Sequence, residues 1–166
     1  KNFWNCFNLS NKGKYLNMEL ENLVKKEAIE LLKKLIACPS LSKQEEGTAR
    51  LITEFFSERN IPYSRKINNI WARNQHYQKN LPTILLNSHH DTVKPNPNWT
   101  KDPFFPLEEK DKLYGLGSND AGASLVSLMA VFMYFYYRTD LKYNLILVAS
   151  AEEEITGING LELLIK

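Results

Sequence analysis

Between residues 19 and 37 the apolar side chains recur at Leu20, Leu23, Val24, Ala28, Leu31, Leu32, Leu35 and Ile36, with Lys25, Lys26, Lys33 and Lys34 on the opposite side. That spacing predicts an amphipathic helix, and Pro39 closes it because the residue before a proline disfavours helical backbone. The stretch Ser42-Lys43-Gln44-Glu45 reads as a capping box for a second helix running to about Arg59, with Ala49, Ile52, Phe55 and Phe56 inward. Asn60-Ile61-Pro62 turns the chain into a strand pair or one long strand over 63–73, followed by a polar loop over 74–80. The pattern then changes. Thr83 to Asn87 and Asn144 to Ala149 are nearly continuous apolar runs, as expected of strands covered on both faces. Between them lies a proline-rich loop over 94–113, with a small hairpin turning at Asp111-Lys112. A helix from about Gly122 to Arg138 follows, apolar on most of its faces. Gly157-Ile158-Asn159-Gly160 leads into a last helix. Helices alternating with short apolar strands predict a layered α/β domain.

Composition narrows the class. Of 166 residues, 43% are hydrophobic and 24% charged, which is globular rather than disordered. The net charge of +2 is small and dispersed, and no clustered basic face is present to bind nucleic acid. Cys6 and Cys38 are far apart with no CxxC spacing, which fits a reducing cytoplasm better than a disulfide framework. Residues 121–137 carry no charge, near the lower length limit of about 17 for a spanning helix. Their Ala-Gly-Ala-Ser start, with Ser124 and Ser127, reads as a buried helix and not a membrane span. Residues 1–17 lack the apolar core of a signal peptide; they read as a non-native or disordered tail, with Met18 as the natural start.

Three stretches carry chemistry. Ser88-His89-His90-Asp91-Thr92-Val93 directly follows the first apolar strand. In extended chain His89 and Asp91 share a side and His90 points away. An imidazole binds zinc through one nitrogen while a carboxylate fixes the other N–H, so His89 is the candidate ligand and Asp91 its orienting partner. A histidine satisfied in a strand-end turn explains the same triplet. Asp120 follows Gly115 and Gly117 and precedes the apolar helix; it is either an N-cap or a carboxylate holding one metal on each oxygen. Glu152, Glu153 and Glu154 follow the second apolar strand, where open α/β sheets place their ligands. Adjacent carboxylates repel unless cations compensate them. Together the three stretches point to a metal site.

With these motifs, residues 18–166 resemble the first part of the catalytic domain of the zinc metallopeptidase and amidohydrolase family that includes acetylornithine deacetylase, succinyl-diaminopimelate desuccinylase, aminoacylase and carboxypeptidase G, the deacetylase branch being nearest. The resemblance rests on His89-His90-Asp91-Thr92-Val93, on Trp99 with Asp102-Pro103-Phe104, on Leu113 to Asp120, and on Glu152-Glu153-Glu154 with Gly157. It implies a three-layer α/β/α catalytic domain with a mostly parallel mixed sheet, truncated here. It implies that His89 binds one of two zinc ions, Asp120 bridges both, Glu154 binds the other, Glu153 is the general base and Asp91 orients His89. Cobalt or manganese are possible substitutes for zinc. Glu152 and His90 receive no role, and His76, in a loop, is not expected to be a ligand. A cis peptide is implied at Asp120–Ala121. Leu116 stands where many relatives carry arginine.

The implied reaction is hydrolysis of the amide bond of an N-acyl amino acid such as acetylornithine, or of a short peptide, by a cytoplasmic full-length homodimer that binds neither nucleic acid nor membrane. Relatives supply a further carboxylate and a late histidine to the metals and carry a smaller dimerisation domain, so the chain alone is expected to be an inactive fragment. The alternatives are a di- or aminopeptidase of related two-metal fold and a non-catalytic metal-binding domain.

Overall fold

The computed structural model describes residues 13–165, the first five by their place in a helix alone. Helix α1 spans Gly13–Ile36 and so begins upstream of the expected Glu19. The expected tail over 1–17 therefore overlaps α1 at 13–17, and its remainder lies outside the described residues. Leu20, Val24, Ala28, Leu31, Leu32, Leu35 and Ile36 are buried, the face predicted from the spacing. Lys33 and Lys34 occupy the last turn, where positive charge suits the exposed carbonyl ends.

Helix α2 spans Glu46–Ser57 and buries Ala49, Ile52, Phe55 and Phe56. The capping box is not formed: α2 has no side-chain cap. The Ser42 hydroxyl instead donates to Asp91 Oδ2 at 2.7 Å, and the Glu45 carboxylate accepts the Lys43 N–H at 2.7 Å. Long-range partners have recruited both side chains away from the helix end.

Strands β1 (Tyr63–Lys66) and β2 (Asn69–Arg73) form a hairpin, and β3 (Thr83–His89) and β6 (Asn144–Ser150) are the two apolar runs. Between them, β4 (Leu107–Glu109) and β5 (Lys112–Tyr114) make a separate hairpin. Its turn sits at Lys110-Asp111, both with positive φ, one residue before the expected position. Helix α3 spans Ser124–Phe135 and α4 spans Glu162–Ile165. No helix among the described residues is long and apolar enough to cross a membrane.

The main sheet has the order β1-β2-β6-β3. It is mixed, as expected, but β3–β6 is the one parallel pairing; β1–β2 and β2–β6 are antiparallel, which corrects the emphasis on parallel strands for this part of the fold. Helices α1, α2 and α3 share one core with Ile70, Ala72, Leu145, Leu147 and Ala149 from the sheet. Phe132 is fully buried at its centre, 6.4 Å from the ring of Phe56 and 5.6 Å from that of Tyr136. Strand β6 is buried along most of its length. Strand β3 is not covered on both faces: Ile84 and Leu85 are 44% and 48% exposed. Among the described residues β3 pairs only with β6, so its outer edge has no neighbour and the same apolar pattern stands open.

The parallel register sets His89 opposite Ser150, so both strands end side by side. Parallel neighbours require a long crossover, here the segment containing β4, β5 and α3; it leaves the site after His89, passes back through Asp120, and re-enters the sheet at Asn144, the far end of β6.

The core account predicts that Phe132→Ala destabilises the protein by about 3–5 kcal/mol, because it leaves an aromatic-sized cavity against Phe56 and Tyr136. Urea unfolding followed by circular dichroism measures it, and a loss below about 1 kcal/mol would show that Phe132 is not central to packing.

Candidate metal centre

His89 is the last residue of β3, 7% exposed. Its Nδ1 lies 3.0 Å from the backbone oxygen of Asp91 and 3.4 Å from Asp91 Oδ1. A carbonyl oxygen only accepts, so Nδ1 carries the proton and Nε2 is aimed the other way. Nε2 lies 3.1 Å from Asp120 Oδ1 and 3.5 Å from Glu153 Oε2. Donor atoms of His89, Asp120 and Glu154 all fall within 4.8 Å of one another. The three residues expected to bind metal are therefore brought together, with the expected base beside them. His76 is exposed in the loop after β2 and outside this cluster.

Asp120 enters from the turn at Ser118–Ala123 that precedes α3. Gly117 starts that turn at φ 72°, a left-handed conformation that favours glycine, and its carbonyl accepts the Gly122 N–H at 2.8 Å. The Asp120–Ala121 peptide is cis, as the resemblance implied. Asp120 caps no helix with its side chain, and its carboxylate is open to solvent, which removes the N-cap alternative. Leu116 is buried, so no charged side chain occupies the position where arginine is usual in relatives.

Glu153 and Glu154 begin the short 3-10 turn Glu153–Ile155 beyond β6. Its backbone is held by Asp91, which is fully buried: Oδ1 accepts the Glu153 N–H and Oδ2 the Glu154 N–H, each at 3.1 Å. Asp91 thus contacts the His89 ring and also anchors the acidic turn, a second set of contacts that its place in the motif did not reveal. Burial works to raise the Asp91 pKa, but hydrogen bonds from His89, Ser42, Glu154 N and Glu153 N outweigh it and leave it at about 2.

The electrostatics of the cluster are set by one imidazole among several carboxylates. Hydrogen bonding to the Asp91 side chain, chiefly, lifts His89 to about 9 against the opposing effect of burial. Burial and then the charge of Asp120 raise Glu154. Two carboxylates less than 5 Å apart repel by a few kcal/mol at an effective dielectric of about 20. One imidazole nitrogen and two carboxylates are a donor set that suits zinc and, less selectively, cobalt or manganese.

His90 points away from the cluster, as expected, and is satisfied where it points. Its Nε2 donates to the Asn68 carbonyl at 2.9 Å and its Nδ1 lies 2.9 Å from Thr48 Oγ1. Burial lowers its pKa, so it is a neutral tie between β3, the β1–β2 turn and α2. Glu152 is buried and accepts the Asn159 N–H at 3.3 Å and the Asn159 side-chain amide at 3.0 Å. A Cβ at Gly157 would run into the Glu152 carboxylate, which explains the glycine there. Ser42, Glu45, Asn68 and Asn159 belong to this support and were missed. Only Ser42 and Glu45 carried any local signal, and it pointed to a helix cap.

A model of peptidase family M20/M25/M40 matches residues 85–166, which contain all five candidate site residues. Among curated proteins, the succinyl-diaminopimelate desuccinylase of Delftia acidovorans is 26% identical over 149 residues, 83% of this chain and 39% of that protein. Among solved structures, the M20 family metallo-carboxypeptidase Sso-CP2 from Sulfolobus solfataricus aligns with a TM-score of 0.65 at 27% identity, over 86% of this chain and 33% of that one. The di-peptidase Dug1p from Saccharomyces cerevisiae aligns with a TM-score of 0.68 at 21% identity, over 90% and 36%, and shares the fold. The chain spans well under half the length of these relatives.

His89 must be neutral at Nε2 to bind metal, whereas without metal it holds its second proton up to about pH 9. Zinc binding at pH 7 is therefore expected to release about one proton from His89, and affinity should rise with pH until about 9. Titration calorimetry in buffers of different ionisation enthalpy measures the release; an enthalpy independent of buffer would contradict it. The same shift sets a stability trend in the metal-free protein. Because the folded pKa is raised above 6.5, the His89 contribution is fully present below pH 6.5 and is lost as pH rises through about 9.

Proposed function

We propose, from the premise that the chain belongs through residues 85–166 to peptidase family M20/M25/M40, that it forms part of a two-metal hydrolase that cleaves the amide bond of N-acyl amino acids. The observation that carries this is the convergence of His89, Asp120 and Glu154 donor atoms within 4.8 Å, with Glu153 at their margin. In this reading His89, Asp120 and Glu154 would hold the two zinc ions, with cobalt or manganese as substitutes. Metal held there supplies Lewis acidity, polarising a carbonyl oxygen and acidifying water.

The other tasks fall to the chain. Asp91 keeps the proton on Nδ1 of His89, so that Nε2 is the ligating atom. Glu153 has a 58% exposed side chain, so substrate and water reach its carboxylate. It takes a proton from the attacking water and returns it to the leaving amine nitrogen. The products are a free carboxylate and an amine, and Glu153 ends in its starting state. Retention of this base supports an enzyme over a non-catalytic metal-binding domain.

The acyl group is the finer question. The resemblance implies acetyl, as in acetylornithine; similarity to the succinyl-diaminopimelate desuccinylase of Delftia acidovorans supports succinyl. A second reading, short-peptide hydrolysis, is favoured by the Sulfolobus solfataricus metallo-carboxypeptidase at 27% identity. Both use the same site chemistry. The apolar open edge of β3 supports the reading of this chain as part of a larger catalytic domain; that the complete enzyme is cytoplasmic and homodimeric is part of the same proposal.

The test is made in the complete enzyme. Glu153→Gln should lower kcat by about 10²–10⁴-fold while zinc content stays unchanged. Turnover within about threefold of the parent would remove Glu153 from the mechanism. A panel of N-acetyl and N-succinyl amino acids against dipeptides separates the two readings, the first set being the expected substrates.

A further inference from the structure

Glu45, like Glu152, is a buried carboxylate near the site that the reaction does not use. It is fully buried, just before α2. Its Oε1 accepts the N–H of Lys43 at 2.7 Å and the N–H of Glu152 at 3.2 Å, from a residue 107 positions away. Its Oε2 accepts the Asn68 side-chain amide at 2.8 Å. The orientation of that amide is set from its other end, because Asn68 Oδ1 accepts from Arg65 Nη2 at 3.0 Å. All three partners of Glu45 donate, so its geometry is that of an ionised carboxylate satisfied by neutral donors.

Three consecutive backbone N–H groups therefore end on buried carboxylates: Glu152 on Glu45, and Glu153 and Glu154 on Asp91. Glu152 needs the anchor. It sits at φ 54°, in the left-handed region, and its own side chain is turned to Asn159, away from Glu45. Glu45 fixes the residue at which the chain leaves β6 and swings into the acidic turn. Asp91 then fixes the next two.

We infer that Glu45 is a positioning residue for the metal centre: by holding the Glu152 N–H it sets where the Glu153 and Glu154 carboxylates stand. This rests on the hydrolase reading above, and it also makes a claim about the backbone that stands apart from activity. Aspartate at this position keeps the charge but is one methylene short, so it loses Glu152 while retaining acceptors for its local donors. Glutamine keeps the length and one oxygen for the Lys43 and Glu152 N–H groups, but sets its amide against that of Asn68.

The experiment compares Glu45→Asp and Glu45→Gln with the parent in the complete enzyme. Hydrogen exchange by mass spectrometry reads residues 150–157 in the metal-free protein. Zinc affinity is read by competition with a chromophoric chelator, and kcat and KM on the best substrate of the panel. Glu45→Asp is expected to lose exchange protection at 152–154, and to lower zinc affinity and kcat by about 10-fold or more with KM nearly unchanged. Glu45→Gln should fall between it and the parent on all three. Parent-like affinity and kcat in a folded Glu45→Asp protein would overturn the inference, even if its melting temperature fell, because Glu45 would then only support the fold. Should Glu45→Asp not fold, Glu45→Gln decides by the same criteria. If the parent itself binds no zinc and hydrolyses nothing in the panel, the hydrolase reading fails. The exchange data still decide whether Glu45 holds the turn.

Discussion

The fold and the site meet in one side chain, the buried carboxylate of Asp91. A charge with no exposure is costly unless each of its oxygens is hydrogen-bonded. Asp91 meets that demand from three separate places in the chain: the Ser42 hydroxyl before α2, the His89 ring at the end of β3, and the N–H groups of Glu153 and Glu154 beyond β6. These contacts close loops of 49, 62 and 63 residues. Removing the carboxylate would leave the imidazole with only the Asp91 backbone carbonyl as partner and the acidic turn without its anchor. The partners that satisfy the charge are also those the chemistry needs held still.

The sheet makes that meeting possible. Parallel pairing of β3 with β6 in the register His89↔Ser150 puts two carboxyl ends at one level, and the crossover from His89 to the start of β6 passes through the turn that presents Asp120. Each strand is extended by a residue or two of irregular backbone, and there the chemistry sits. Helices α1, α2 and α3 pack in one core with Ile70, Ala72, Leu145, Leu147 and Ala149 of the sheet, up to the level of the site. Around the ligands, the negative charges of Asp120, Glu153 and Glu154 stand at the surface while Asp91, Glu45 and Glu152 stand behind them, and His89 is the cation within reach.

Much of this was legible in the residues themselves. The α1 face from Leu20 to Ile36 and the position of β6 followed from periodicity, and the His89-x-Asp91 pair from the alternation of extended chain. The convergence of Asp120 and Glu154 on His89 was legible only as a set, since each has a common structural explanation when taken alone. What was not legible depended on distance in the chain. Ser42 and Glu45 have the spacing of a capping box, and local spacing does not show that Asp91, Asn68 and Glu152 would compete for them. Strand β3 has the pattern of a covered strand because apolar run length does not report what lies beside it; here Ile84 and Leu85 are exposed. His90 and Glu152 had no assigned task because their partners, Thr48, Asn68 and Asn159, are ordinary polar residues far off in sequence or in a turn.

The central claim is that metal sits between His89 Nε2, Asp120 and Glu154. Anomalous diffraction at the zinc edge, from crystals of the complete protein grown with zinc, tests it most directly. The account predicts two peaks flanking the Asp120 carboxylate, one at bonding distance from His89 Nε2, about 2.0–2.1 Å, and the other within reach of Glu154. Zinc peaks only elsewhere on the surface, with the His89 ring still hydrogen-bonded to Asp120, would contradict it.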